Sequence, residues 1–169
     1  AELFGYPFRT ASDTETILAA YERWGARCVE RFEGMFSFAL WTSERAELFF
    51  ARDPQGVKPF YYRHENQQLI FSSEIKGILA HGSAHPLSRD AFSLYMRCGY
   101  VPGPLTMFSG ILKLPPGHRG YFSKGMLRIE PYAFRAETDG SLPIPYPSRR
   151  AAHEGIRTAL RQSVAQQLV

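Results

Sequence analysis

The sequence predicts an α+β fold built on antiparallel sheet, and three observations carry that prediction. Between Met35 and Lys76, four apolar or aromatic runs alternate with short turn-like segments. A capped amphipathic helical pattern leads into them, and two further short runs, Gly120–Phe122 and Met126–Glu130, follow around Ser123-Lys124-Gly125. Short β-rich runs bounded by Gly, Pro, Asn, Asp and Ser are the mark of strands joined by hairpins, and a helix that feeds such strands is expected to lay its apolar face on them.

Taken in order, Leu3–Thr10 contains Gly5 and Pro7 and reads as a turn leading into a short extended piece. Ser12-Asp13-Thr14-Glu15 opens the helix, with Ser12 and Glu15 in capping-box relation, each side chain placed to reach the other's backbone N–H. Ile17, Leu18, Tyr21, Trp24, Cys28, Val29 and Phe32 follow at helical spacing, an apolar face of about four turns. Gly25 interrupts it at about 1 kcal/mol relative to Ala, and Gly34 ends it.

The runs Met35–Thr42, Glu47–Arg52, Pro59–His64 and Gln68–Ser72 come next. Linked by Ser43–Ala46, Asp53–Lys58 and Glu65–Gln67, they read as one antiparallel meander. Ser72 or Ser73 caps a short helix, Glu74–Ala80. His81–Pro86 is a loop whose Gly82, Ser83 and Pro86 argue against a helical two-histidine metal site. Ser88 caps Arg89–Arg97, and a breaker-rich loop follows from Gly99. Ile111–Leu114 and Gly120–Ser123 flank the rigid turn Pro115-Pro116-Gly117-His118. Thr138–Ser148 holds three prolines without a period and reads as a linker. Beyond it, His153–Val169 is helical, with Ile156, Ala159, Leu160, Ser163, Val164, Gln167 and Leu168 on one stripe, as in the first helix of a second domain.

Composition narrows the function. Apolar residues at 44% and charged residues at 21% are ordinary for a globular protein of 169 residues. The net charge of +4 comes from scattered basic residues, not from the clustered patch that nucleic-acid binding requires. No apolar run reaches the roughly 18 residues of a membrane span, and the start lacks a signal-peptide layout. Cys28 and Cys98 have no metal spacing and read as free, partly buried thiols in a reducing cytoplasm.

Two stretches offer chemistry. Asp13 places a carboxylate in the first turn of a helix, where it complements the helix dipole; read locally, that is the better reading, with a binding role as the other. Arg52-Asp53-Pro54-Gln55-Gly56-Val57-Lys58-Pro59 puts a guanidinium and an ammonium beside a tight turn. They are placed to hold an anion, although an arrangement that pins the loop is the better local reading. There is no phosphate-binding Gly-rich loop, GxSxG, HExxH or CxxC, and no catalytic residue is assigned.

The motifs SDTETILAAYERWGARCVERFEGMFSFALW, LFFARDPQGVKPFYY, LIFSSEIKGILA, GYVPGPLTMFSGILKLPPGH and LRIEPY, in this order from Phe8 to Tyr132, resemble the glutamine-hydrolysing asparagine synthases. The resemblance implies part of a class II glutamine amidotransferase domain, an αββα N-terminal-nucleophile hydrolase sandwich, over residues 1–137. It further implies a linker at 138–148 and, at 149–169, the first helix of an α/β synthetase domain. In that family an N-terminal cysteine hydrolyses glutamine, and the ammonia serves the ATP-dependent amidation of aspartate.

On this resemblance Asp13 becomes the residue that binds the α-amino group of glutamine. Arg52, Gly56, Lys58, Ser73, Glu74 and Lys76 become scaffold around the site and the domain interface. The expected partners are glutamine, with aspartate, ATP and Mg²⁺ handled by a synthetase domain outside this sequence; the expected location is the cytoplasm and the expected assembly a homodimer. The family's N-terminal cysteine, its RR-containing and YNGE segments and its SGGxDS loop do not occur here. The sequence is therefore expected to be truncated at both ends and inactive alone. Two other readings stay open: an amide-forming relative such as a β-lactam synthetase without glutaminase activity, and a non-catalytic binding domain.

Overall fold

In the computed structural model, which describes residues 5–81, 85–133 and 147–165, the strands are β1 (Ser37–Thr42), β2 (Glu47–Arg52), β3 (Tyr61–Glu65), β4 (Gln68–Ser72), β5 (Leu112–Lys113), β6 (His118–Ser123) and β7 (Met126–Pro131). They form two antiparallel sheets, one ordered β1-β2-β6-β7 and the other β4-β3-β5. The single meander expected over Met35–Lys76 is thus corrected. Its two hairpins belong to different sheets, and Asp53–Lys58 carries the chain from one sheet to the other. The cause lies in β2, where Phe49, Phe50 and Ala51 are all fully buried. A strand apolar on both faces must be covered on both faces. The β3–β4 hairpin supplies one cover. Likewise Pro115–Gly117 returns the chain from β5 to β6, in the other sheet.

Phe50, Phe60, Tyr62 and Leu114 fill the space between the sheets, flanked by Ala39, Leu48, Leu69, Leu112, Leu127 and Ile129. Phe50 stacks on Phe60 at 5.0 Å, and Phe60 stacks on Phe71 at 5.5 Å, the planes within 9° and 6° of parallel. Gly120 pairs with Phe50 across β2 and β6. A Cβ there would lie 2.2 Å from the tip of the Phe50 ring, so the missing methyl group is what lets this ring lie flat in the core.

The opposite face of β2 is covered by helix α1 (Asp13–Trp24) and the 3-10 helix Gly25–Arg31. Ala20, Cys28, Val29, Phe49 and Ala51 form this second core, with Phe36, Phe38 and Tyr121 packed on it. Arg119 ties the layers together. It donates to the carbonyl of Ala26 at 3.0 Å and to the carboxylates of Glu130 at 2.9 Å and Glu30 at 3.3 Å.

The long first helix is also corrected, because Gly25 at φ +58° stops the α-helix and the remaining residues wind more tightly. The capping box does not close. Ser12 Oγ accepts from the Thr14 N–H, whereas the Glu15 carboxylate turns outward to the N–H groups of Arg9 and Thr10, at 2.8 and 2.7 Å. The preceding turn offers two free donors where the box offers one.

Helix α2 (Ile75–Leu79) is shorter than expected, and Ser72 Oγ accepts from the N–H of Glu74 at its start. It packs against β3 and β4, completing a helix–sheet–sheet–helix order. Helix α3 (Arg89–Cys98) is capped as expected, with Ser88 Oγ accepting from the Ala91 N–H and Gly99 in the left-handed region at its end. Of the two free cysteines, Cys28 is buried and Cys98 exposed, not partly buried as expected. Helix α4 (Arg149–Ala165) belongs to a second unit, Arg135–Val169, apart from Ala1–Phe134. The expected linker up to residue 146, the end of the last helix at 166–169 and the loop residues 82–84 lie outside the described residues.

Candidate functional site

A cleft of about 430 Å³ is lined by the start of α1, by β1 and the residues just before it, by the segment leading into β3, and by the end of β4 with the residue after it. Its walls are mostly apolar: Ile17 of α1, Met35, Phe36, Phe38 and Ala39 around β1, and Pro59, Phe60 and Phe71. Ser37 Oγ donates to the carbonyl of Pro59 at 3.1 Å and so joins the two sheets at this opening. The polar side chains that line it are few: Asp13, Ser37, Lys58, Ser72 and Ser73. Asp13 is the first helical residue of α1, capped by Ser12, and its side chain is exposed. One carboxylate and one ammonium in an otherwise apolar cleft suit a small ligand with charged ends and an aliphatic middle.

The Arg52–Lys58 turn behaves as a pin. Asp53, 1% exposed, accepts from the backbone N–H groups of Gln55 at 3.1 Å, Val57 at 3.0 Å and Lys58 at 3.0 Å. Arg52 donates to the carbonyls of Lys58 at 2.7 Å, Gly56 at 2.6 Å and Leu114 at 2.6 Å. Its guanidinium is spent on backbone and is no anion site. Tyr132 donates its hydroxyl to the carbonyl of Arg52 at 2.7 Å. Burial pushes its pKa up, and the Asp53 carboxylate pushes the same way, so the hydroxyl stays a donor. Gly56, at φ +65°, leaves no room for a Cβ, which would meet Pro116 at 2.7 Å.

The residues picked out in the sequence therefore separate. Asp13, Lys58 and Ser73 share the cleft, Arg52 and Gly56 build the turn behind it, and Glu74 and Lys76 form an exposed ion pair at the start of α2. Sequence reasoning missed the apolar walls. Phe38, Phe60 and Phe71 read as ordinary strand residues, and only the division into two sheets turns them toward an opening. Neither cysteine lines the cleft. Burial pushes the Cys28 thiol up to about 11, which leaves it protonated and inert near neutral pH. Among the described residues no three His, Cys, Asp or Glu gather as a metal site, and no helix is long and apolar enough to cross a membrane.

Residues 1–133 match the family model of the glutamine amidotransferase domain. The chain belongs to that family. It is similar to a putative glutamine-hydrolysing asparagine synthetase of Methanocaldococcus jannaschii, 34% identical over 157 residues, which cover 91% of this chain and 30% of that protein. It is also similar to asparagine synthetase 3 of Bacillus subtilis, 42% identical over 130 residues, covering 76% of this chain and 21% of that protein. The chain thus spans less than a third of the curated relatives it matches. The fold, of the N-terminal-nucleophile hydrolase type, is similar to that of the glutamine phosphoribosylpyrophosphate amidotransferase of B. subtilis, at a TM-score of 0.57 and 18% identity over 79% of this chain and 25% of that one. By family, this amidotransferase domain is part of an enzyme.

Proposed function

We propose that the domain serves glutamine hydrolysis within a glutamine-dependent asparagine synthetase, where the released ammonia amidates aspartate at the expense of ATP. The carrying observation is Asp13, a carboxylate at an apolar cleft, on the first turn of a helix inside the family's own match. In this reading Asp13 accepts from the α-ammonium of glutamine, while Ile17, Met35 and Phe38 shield its methylenes from water. The chemistry is thiolate attack on the side-chain amide, loss of ammonia and hydrolysis of the acyl-enzyme, with N–H donors stabilising the oxyanion.

The nucleophile is assigned to an N-terminal cysteine outside these residues. The buried Cys28 thiol supports that assignment, since it has neither a free amine nor a lowered pKa. ATP and Mg²⁺ do not fit the described residues, which offer neither a Gly-rich phosphate loop nor a cluster of three acidic groups, so the amidation step is assigned elsewhere. Cytoplasmic location and assembly as a homodimer complete the reading.

Reading the gene outward tests it. Upstream sequence is expected to begin with Cys-Gly, and downstream sequence to contain an SGGxDS loop. The 169-residue chain alone is expected to release no ammonia from glutamine. Turnover by this chain, or neither flanking motif, overturns the proposal. A different residue in place of the N-terminal cysteine, with the rest intact, points instead to an amide-forming relative without glutaminase activity.

A further inference from the structure

Two residues that line the cleft from different segments, Phe36 and Lys58, are both tied to Asp53. The Asp53 N–H donates to the Phe36 carbonyl at 2.9 Å, and the Asp53 carboxylate accepts from the Lys58 N–H at 3.0 Å. Whatever fixes Asp53 therefore fixes two parts of the lining at once. The peptide group that joins Arg52 to Asp53 is held from its other end as well. Its carbonyl, that of Arg52, accepts from the Tyr132 hydroxyl at 2.7 Å. One planar unit thus receives Tyr132 at its oxygen and reaches Phe36 through its nitrogen. Hydrogen bonds in such a chain polarise one another, so each strengthens the next.

A second path starts from the Tyr132 backbone. Tyr132 and Ala133 both donate their N–H groups to the Gly117 carbonyl, at 2.9 and 3.2 Å, and the Gly117 N–H donates to the Asp53 carbonyl at 2.9 Å. Side chain and main chain of Tyr132 therefore converge on the same residue. Tyr132 is not among the residues that line the cleft, and it lies two residues before the end of the first unit, Ala1–Phe134. We propose that Tyr132 is a positioning residue for the glutamine site. From the place where the chain leaves the amidotransferase unit, its hydroxyl holds the Arg52–Asp53 peptide and, through it, the Phe36 and Lys58 parts of the cleft. The proposal rests on the glutaminase reading and adds to it a residue that touches no substrate.

Tyr132→Phe deletes the hydroxyl and keeps the ring, and two measurements on it test the proposal. In the 169-residue chain, amide exchange followed residue by residue by NMR should be about threefold to tenfold faster at Asp53 and Lys58, as for the loss of one hydrogen bond. It should be unchanged at Thr42 and Glu47, the other end of the β1–β2 pair. In the product of the complete reading frame, the same change should raise KM for glutamine about threefold and leave kcat within about twofold. Tyr121→Phe, which deletes a hydroxyl bonded to Glu130 at 3.4 Å, should leave KM unchanged. Exchange accelerated equally at all four amides, or not accelerated at Asp53, overturns the proposal. So does an unchanged KM, or a Tyr121→Phe that raises KM as much; if Asp13→Asn still raises KM, the glutaminase reading then stands without it. A product that releases no ammonia from glutamine overturns that reading and this proposal together.

Discussion

The carboxylate of Asp53 holds the backbone N–H of Lys58 at 3.0 Å, so a buried acid fixes the main chain that brings an ammonium group to the cleft. Two more N–H groups converge on the same carboxylate, so one side chain satisfies three donors of the turn. Asp53→Ala removes the buried acceptor and leaves these donors without their protein partner. The expected cost is about 3 kcal/mol, from charge-assisted hydrogen bonds of roughly 1.5–3 kcal/mol each, partly replaced by water. Urea denaturation reads it as a lower midpoint with an unchanged slope. A midpoint within error of wild type would mean that Asp53 does not hold the turn.

Gly120 and Phe50 make a second prediction. Gly120→Ala puts a methyl group into the Phe50 ring, and overpacking of this kind costs about 1–3 kcal/mol. Phe50→Leu makes its own cavity, of similar cost. Combined, the two changes should cost less than their sum, because the smaller side chain yields the space that the methyl takes. Strict additivity in a thermal or urea cycle would contradict the geometry.

Asp13 bears on substrate binding. In the product of the complete reading frame, Asp13→Asn should raise KM for glutamine about tenfold to a hundredfold with little change in kcat, as expected when one charge-assisted contact to the bound ammonium is lost. Steady-state ammonia release measures it. An unchanged KM would remove Asp13 from the binding site.

Acid stability isolates Glu15. The Thr10 hydroxyl, and then the Arg9 N–H, hold its carboxyl below the ordinary value. A depressed folded pKa gives stability that is present above the ordinary carboxylate range and is lost as pH falls through the folded value. Glu15→Gln should therefore lower the urea midpoint near neutrality and flatten its fall in acid. A variant that keeps the wild-type acid slope would show that the contact to Thr10 is not maintained in solution.

The cysteines differ in the opposite direction. The Cys28 thiol titrates near 11 in the folded chain because it is buried, above its ordinary 9.0. Its contribution is complete below pH 9 and is lost as pH rises toward the folded value. At pH 8 a thiol reagent should label Cys98 at once and Cys28 only on unfolding. Equal rates would place Cys28 at the surface.

The α+β class, most strand positions and three helix starts were legible in the sequence because they depend on local turn chemistry and caps: Ser12, Ser72, Ser88 and the Ser-, Asn- and Gly-bearing hairpin turns. The division into two sheets was not, although Leu48-Phe49-Phe50-Ala51 carried the signal. Four apolar residues in a row cannot alternate between core and water, so they imply covers on both faces. Asp13 looked like a dipole partner because its surroundings come from β1 and β4, far away in the chain. Arg52 and Lys58 looked alike as cations. Only the long-range contact to the Leu114 carbonyl shows that one is committed to backbone while the other faces the opening.

The column of rings from Phe50 through Phe60 to Phe71 reaches from the core between the sheets to the wall of the cleft. Each ring rests on the one beneath, and the lowest rests where Gly120 has no side chain. The depth available to a guest is thus set outside the lining of the cleft, by a hydrogen atom in β6. Lengthening that one position would raise the whole column and make the cleft shallower without substituting any residue that lines it.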